Sequence, residues 1–285
     1  MITPLFTFDE GILNANDFSQ ASWSKTNVTL TPNATAAPDG SVTAMKVAAT
    51  ASAATTLSQT VNGAGKASGK KFFIYAKQGS GAVDGNSFNL FDVTSSTTIL
   101  ACTVNYGTGV VTYTTGAAGI TMIALTGGWW LIIFDTIGLA IANSDNLAVG
   151  IGFVGNAETA AEFVYLWGAS LRSIVAPSYP AVGKLLANQR TVLRHDSITS
   201  SGIKQSIVER TDQFNPLVFT FVPQADIPQW VTFMNYAQNG GAFTYYPDST
   251  NFLSHTDYSL DDMDWSPKRT AFGHATFSID MRVWV

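Results

Sequence analysis

Charge is scarce in this sequence: Asp, Glu, Lys and Arg make up 12% of its 285 residues, about half the ~25% usual in soluble domains. The 15 basic residues are outnumbered by 20 acidic ones, for a net charge of −5. Binding to nucleic acid by neutralising phosphates is therefore excluded as an expectation. No basic run is present to hold the chain on an anionic membrane. Cys102 is the single cysteine, so no intrachain disulfide can form. Its neighbours Leu100, Ala101, Thr103 and Val104 read as a strand, and a buried, inert thiol is expected. Long hydrophobic runs are also missing. The most apolar stretch, 129–141, is interrupted by Asp135 and Gly138 and is too short to span a bilayer, so no membrane insertion is expected. The first ten residues carry neither a basic region nor an apolar one, which reads as a product that stays in the cytoplasm where it is made.

What is present is 46% hydrophobic residues, 12% aromatics and 24 glycines, enough for a full core with many turns. Short apolar or alternating runs recur at 27–31, 43–48, 55–61, 71–77, 87–93, 97–104, 110–114, 120–125, 129–136, 147–153 and 162–172. Turn signals separate several of them, such as Pro38-Asp39-Gly40, Gly107-Thr108-Gly109 and Gly127-Gly128. Regular spacing without a helix period predicts a mainly β protein whose N-terminal part is a β-sandwich. The segment 177–184, with Pro177, Pro180 and Gly183, is expected to be a linker. The domains expected are an N-terminal arm or strand over 1–12, a sandwich over 13–176 and a smaller α+β domain over 185–285.

That last part has its own pattern. Runs at 191–198 and 203–210 flank Thr199-Ser-Ser-Gly202 and predict a hairpin. A strand at 217–222 is followed by Asp226 as a helix cap and Pro228 in the first turn. Trp230, Phe233, Met234 and Ala237 then recur at helical spacing, one apolar stripe facing a sheet. Further strands are expected at 243–246, 258–263 and 270–285.

Two segments carry a resemblance. Phe18-Ser-Gln-Ala-Ser-Trp23 and the following residues to Gly40, then Leu57-Ser-Gln-Thr-Val61, Phe73-Ile-Tyr-Ala-Lys77, Gly128-Trp-Trp-Leu131 and Val164-Tyr-Leu-Trp-Gly-Ala169, resemble the carbohydrate-binding-module-like jelly rolls of tailed-phage proteins. The stretches around Arg210, 230–237, 240–248 and 265–273 resemble a small domain of phage tail and virion structural proteins. The resemblance implies a virion subunit, assembled in the host cytoplasm as a homo-oligomer and in contact with other virion subunits. It also implies host-surface polysaccharide as a possible partner. Such jelly rolls often hold a structural calcium, which makes Asp9 and Glu10 candidate ligands; no other cofactor is expected.

The residues themselves offer little catalytic chemistry. Ala64-Gly-Lys-Ala-Ser-Gly-Lys-Lys71 departs from a phosphate loop at its first glycine and at its hydroxyl position. His195, His255 and His274 are far apart, and no paired Cys or His ligands occur. Asp257, Asp261, Asp262 and Asp264 cluster without the glycine and glutamate of a calcium loop. No enzyme activity is expected. A sugar site needs ring faces and amide edges. Trp129, Trp130, Tyr75, Tyr106 and Tyr113 supply rings, and Asn86, Asn105 and Gln78 supply edges; each ring is also a candidate for the core. Trp129 and Trp130 are adjacent, so in a strand they point to opposite faces. Tyr245, Tyr246, Trp265 and Trp284 are large enough to anchor a docking interface, or equally to fill a core. The reading is a structural protein of a phage tail or baseplate, its C-terminal domain docking and its sandwich binding glycans. A capsid decoration protein and a polysaccharide depolymerase are the alternatives.

Overall fold

The structure, a computed structural model, describes residues 4–9, 11–13, 15–50, 55–61, 70–79, 86–115, 119–135, 146–153, 162–177, 189–198, 204–260, 267–269 and 273–283. The chain divides into two compact units, Asp9–Ser173 and Met1–Phe8 with Ile174–Val285. The expected linker lies largely outside the described residues.

The Asp9–Ser173 unit is a jelly-roll β-sandwich. Its first sheet has the order β10 (Ile120–Ala124), β11 (Trp129–Asp135), β6 (Lys70–Gln78), β13 (Phe163–Val175), β4 (Ala44–Ala49) and β3 (Val28–Thr35). The second sheet has the order β2 (Ser24–Thr26), β5 (Thr56–Val61), β12 (Leu147–Phe153), β7 (Asn86–Asp92), β8 (Thr97–Asn105) and β9 (Val110–Thr115). Successive strand residues point to opposite faces, which decides what each strand buries. Phe72, Ile74 and Ala76 of β6 and Ile132 and Phe134 of β11 face inward to meet Phe88, Leu90, Leu100, Cys102 and Val104 of the second sheet. Phe18 and Trp23, in edge-on contact at 4.8 Å, belong to the same core.

Burial pushes the Cys102 thiol up to about 12, and the side chain is sealed in the core. A thiol reagent is therefore expected to leave Cys102 unmodified at neutral pH until denaturant is added. Rapid labelling of the native protein would contradict that packing.

One irregularity in β13 matters for the outer face. Its register against β6 shifts between Trp167 and Ser170, and Gly168 sits there with φ +64. A Cβ at this position would lie 2.9 Å from Cδ2 of Tyr75, and L side chains are strained in this region. Gly168→Ala is expected to cost about 1–3 kcal/mol, read as a lower urea midpoint with an unchanged slope.

In the other unit the strand order is β1 (Leu5–Asp9), β16 (Phe243–Tyr246), β17 (Thr256–Leu260), β19 (His274–Val283), β15 (Lys204–Pro223) and β14 (Gln189–Ile198), with β18 (Lys268–Arg269) also on β19. Helix α1 (Ile227–Gln238) follows β15. Its stripe of Trp230, Phe233, Met234 and Ala237 is buried with Phe219, Phe243, Phe277 and Ile279 in one cluster. Asp226 does not cap the helix through its side chain: a 3-10 turn over Gln224–Asp226 runs straight into α1 and gives Asp226 helical backbone angles. Its carboxylate is thereby in the wrong place to receive the first free amides.

Residues 5–9, open on sequence as arm or strand, pair with β16 from Leu5 opposite Tyr246 to Phe8 opposite Phe243. The stretches read as two strands at 203–210 and 217–222 are one strand, β15. Its first half pairs with β14 as far as Phe214, and its second half pairs with β19 from Phe214 onward. Pro216 lies past the last β14 partner, where a missing N–H forfeits no bond on that side.

Candidate functional site

The hairpin joining β10 to β11 closes with Leu125 N–H donating to the Trp129 carbonyl at 2.8 Å. Gly127 and Gly128 take φ +73 and +78 in that turn, a backbone open to glycine at low cost. Beside it is an open cleft of about 330 Å³ lined by Lys77, Gln78, Tyr106, Ala124, Leu125, Gly128, Trp129 and Trp130. Gln78 ends β6, and Tyr106 follows β8 on the second sheet, so the cleft lies at one end of the sandwich.

The two indoles do point to opposite faces. Trp130 is half-buried and packs against the main core. Gly109, at φ +69 in the β8–β9 turn, allows this: a Cβ there would come within 2.8 Å of Trp130 Cη2. Trp129 is on the outer face, yet it is only 2% exposed. Its Nε1 donates to the Ala36 carbonyl at 3.1 Å, and it forms a small cluster with Ala37 and Ala44. Trp129 is thus a wall of the cleft, and Trp130 is the more accessible ring.

Among the other sugar candidates, Tyr75 is half-buried on the outer face and meets Trp167 edge-on at 5.2 Å. Burial raises its phenol. Tyr106 is buried, and desolvation holds its phenol well above the usual tyrosine range, so it stays neutral. The Asn105 side-chain Oδ1 accepts from the amides of Gly107 and Thr108 at 2.9 and 3.0 Å; it shapes the β8–β9 turn. Asn86 begins β7 and Tyr113 lies in β9, but their side chains are outside the described residues. The cleft brings together Trp129, Trp130, Gln78 and Tyr106, joined by Lys77, which no sequence pattern singled out. Tyr75 stands one row away, opposite Leu131 of β11.

On the outer face a cross-strand row continues from the cleft. Lys77 is opposite Trp129 on one side and Tyr165 on the other. Tyr165 is opposite Lys46, and Lys46 is opposite Thr31. Lys77, Tyr165 and Lys46 are half-buried and Thr31 is exposed.

The expected docking anchors fall differently. Tyr245 and Tyr246 are 8% and 3% exposed. Tyr245 packs 5.1 Å from Phe6, and Tyr246 packs against Phe252 at 5.4 Å. Both are core, because β16 lies between β1 and β17 with apolar side chains on either face. Trp265 and Trp284 lie outside the described residues. The backbone of Asp9 ends β1; its side chain and Glu10 are outside the described residues, as are Asp261, Asp262 and Asp264. The Asp257 carboxylate accepts from the Thr244 hydroxyl at 2.6 Å. Among the described residues no three His, Cys, Asp or Glu side chains gather as metal ligands. No helix there is long and apolar enough to cross a membrane.

No protein-family model matches the chain, and no curated protein matches it. Solved structures do. A carbohydrate esterase from Shiga toxin-encoding bacteriophage phi24B is similar over 59% of this chain and 96% of its own, at 11% identity and a TM-score of 0.35. The CBM22-1 xylan-binding domain from Paenibacillus barcinonensis is similar over 59% of this chain and 92% of its own, at 12% identity and a TM-score of 0.34. A family 11 carbohydrate-binding module from Clostridium thermocellum, solved with a mixed-linked tetrasaccharide, covers 60% of this chain with 96% of its own, at 7% identity and a TM-score of 0.33. Likeness at this level concerns the fold alone.

Proposed function

We propose that the chain is a structural subunit of a phage tail or baseplate, docking through its Ile174–Val285 part, and that its sandwich binds host-surface glycans without catalysis. The observation that carries the glycan reading is the cleft at the β10–β11 turn. It combines an indole face on Trp130, an amide on Gln78 and an amine on Lys77, all on strand ends held by rigid ladders. An apolar ring face with a few convergent polar groups is the make-up of a sugar subsite. Among the described residues the lining has no carboxylate, histidine or cysteine; carboxylates are the side chains that glycoside hydrolysis would draw its paired acids from. The docking reading draws on the likeness of segments 210–273 to virion proteins and on the charge-poor sequence.

Sites of this open kind bind weakly one at a time, and many copies on a particle would supply avidity. The test is a glycan array probed with the full chain displayed on beads at high valency. Binding that drops in Gln78→Ala, with the thermal midpoint unchanged, supports the reading; a blank array at high valency overturns it. Quantitative proteomics of intact particles tests the virion role: a small fixed copy number is expected, and absence from particles would end it.

A further inference from the structure

The row running out of the cleft carries two cations on a chain whose net charge is −5. Lys77 and Lys46 flank Tyr165 on neighbouring strands. With strands spaced about 4.8 Å apart, their backbones are separated by two strand spacings, about 10 Å. Among the described residues neither ammonium has a carboxylate within ion-pair distance; the ion pair on this face is Lys71 with Asp135. Aromatic rings hold the two lysines instead. Lys46 Nζ sits over the Phe163 ring, 3.9 Å from its centroid, and Lys77 Nζ is 6.0 Å from the Trp129 ring centroid. Ring faces attract ammonium groups without neutralising them, so both positive charges remain available. Two like charges placed this way repel each other mildly.

An anionic polymer lying across the strands would relieve that repulsion. It would place one acidic group at each lysine, a sugar ring over the Tyr165 phenol between them and a hydroxyl at exposed Thr31. We propose that the row Lys77–Tyr165–Lys46, continuous with the cleft, selects acidic polysaccharide, that is, chains bearing uronate carboxylates. This inference rests on the glycan-binding reading above and names the ligand class of that site.

The experiment compares the full chain on alginate, polygalacturonate and hyaluronate with neutral xylan, dextran and methyl-esterified pectin, and with a single-stranded DNA oligonucleotide. Expected are binding to an acidic polysaccharide and loss of that binding in about 1 M salt, where the screening length shrinks to about 3 Å. Lys77→Gln and Lys46→Gln are each expected to weaken it about tenfold, as for one charge-assisted hydrogen bond. Both side chains are half-exposed, so unchanged thermal midpoints would separate lost contact from lost fold. Binding to neutral polysaccharides alone, or binding that ignores salt and both substitutions, overturns the acidic specificity and leaves the glycan reading standing. Equal binding to the oligonucleotide overturns it in favour of generic anion capture. No binding to any polymer overturns both.

Discussion

A chain lacking residues 1–8 is expected to keep its folded sandwich and to lose the unit formed by Ile174–Val285. β1 supplies Phe6 and Phe8 to that unit's core. Phe6 is fully buried and touches five rings: Phe219, Trp230, Phe233, Phe243 and Tyr245, at centroid distances from 5.1 to 6.2 Å. Phe8 packs on Phe233 at 5.8 Å and on Tyr236 at 4.8 Å. Truncating one such ring to alanine costs about 3–5 kcal/mol. Removing both, together with the ladder to β16, approaches the whole stability of a domain, about 5–15 kcal/mol. Hydrogen exchange would read this directly. Amides of β6, β11 and β13 up to Ser173 should stay protected while those of β16, β17 and β19 exchange freely. A synthetic peptide of residues 1–12 added in excess should restore protection, since binding stabilises the folded form by mass action. Protection of β16 in the truncated chain without the peptide would show that β1 is dispensable.

Trp230→Ala is expected to be nearly as damaging, at about 3–5 kcal/mol. The indole is completely buried, tilted against Phe219 at 4.8 Å and edge-on to Phe277 at 4.9 Å. Aromatic pairs of this geometry add to simple burial. Trp230→Phe should cost clearly less than the alanine variant for a second reason. Among the described residues the indole Nε1 has no hydrogen-bond partner, and an unpaired buried donor carries its own penalty. Phenylalanine leaves a smaller cavity and removes that donor. Urea titrations followed by near-ultraviolet circular dichroism would rank the two; equal losses would mean that the N–H is satisfied in solution.

Most strands were legible because alternation is a local property: the apolar positions of β5, β8 and β19 mark their own inward faces. The helix stripe was legible for the same reason. β1 was not. Leu5, Phe6, Thr7 and Phe8 are all buried, so alternation vanishes, and the strand's partner is near the other end of the chain. β15 was read as two strands because its continuity lies in a change of partner, from β14 to β19 at Phe214, that no local pattern displays. At the candidate site, the opposite facing of Trp129 and Trp130 followed from adjacency. Which of them is sealed did not, because the covering group is the distant Ala36 carbonyl. Lys46 and Lys77 were invisible as a pair. Their alignment needs the register of β4, β13 and β6 together, which no single segment encodes.

The placement of β1 also bears on how the chain is made. Residues 5–8 leave the ribosome before the sandwich does, but Phe243, the partner of Phe8, emerges only after all of Asp9–Ser173 has been produced. Domains generally fold as units as they emerge during synthesis. The sandwich therefore has time to complete while the leading strand waits with two phenylalanines and an unpaired edge exposed. Such edges invite pairing with other chains. A newborn chain is thus most prone to aggregate between completion of its sandwich and arrival of residue 246, and slow translation of the intervening stretch would lengthen that interval.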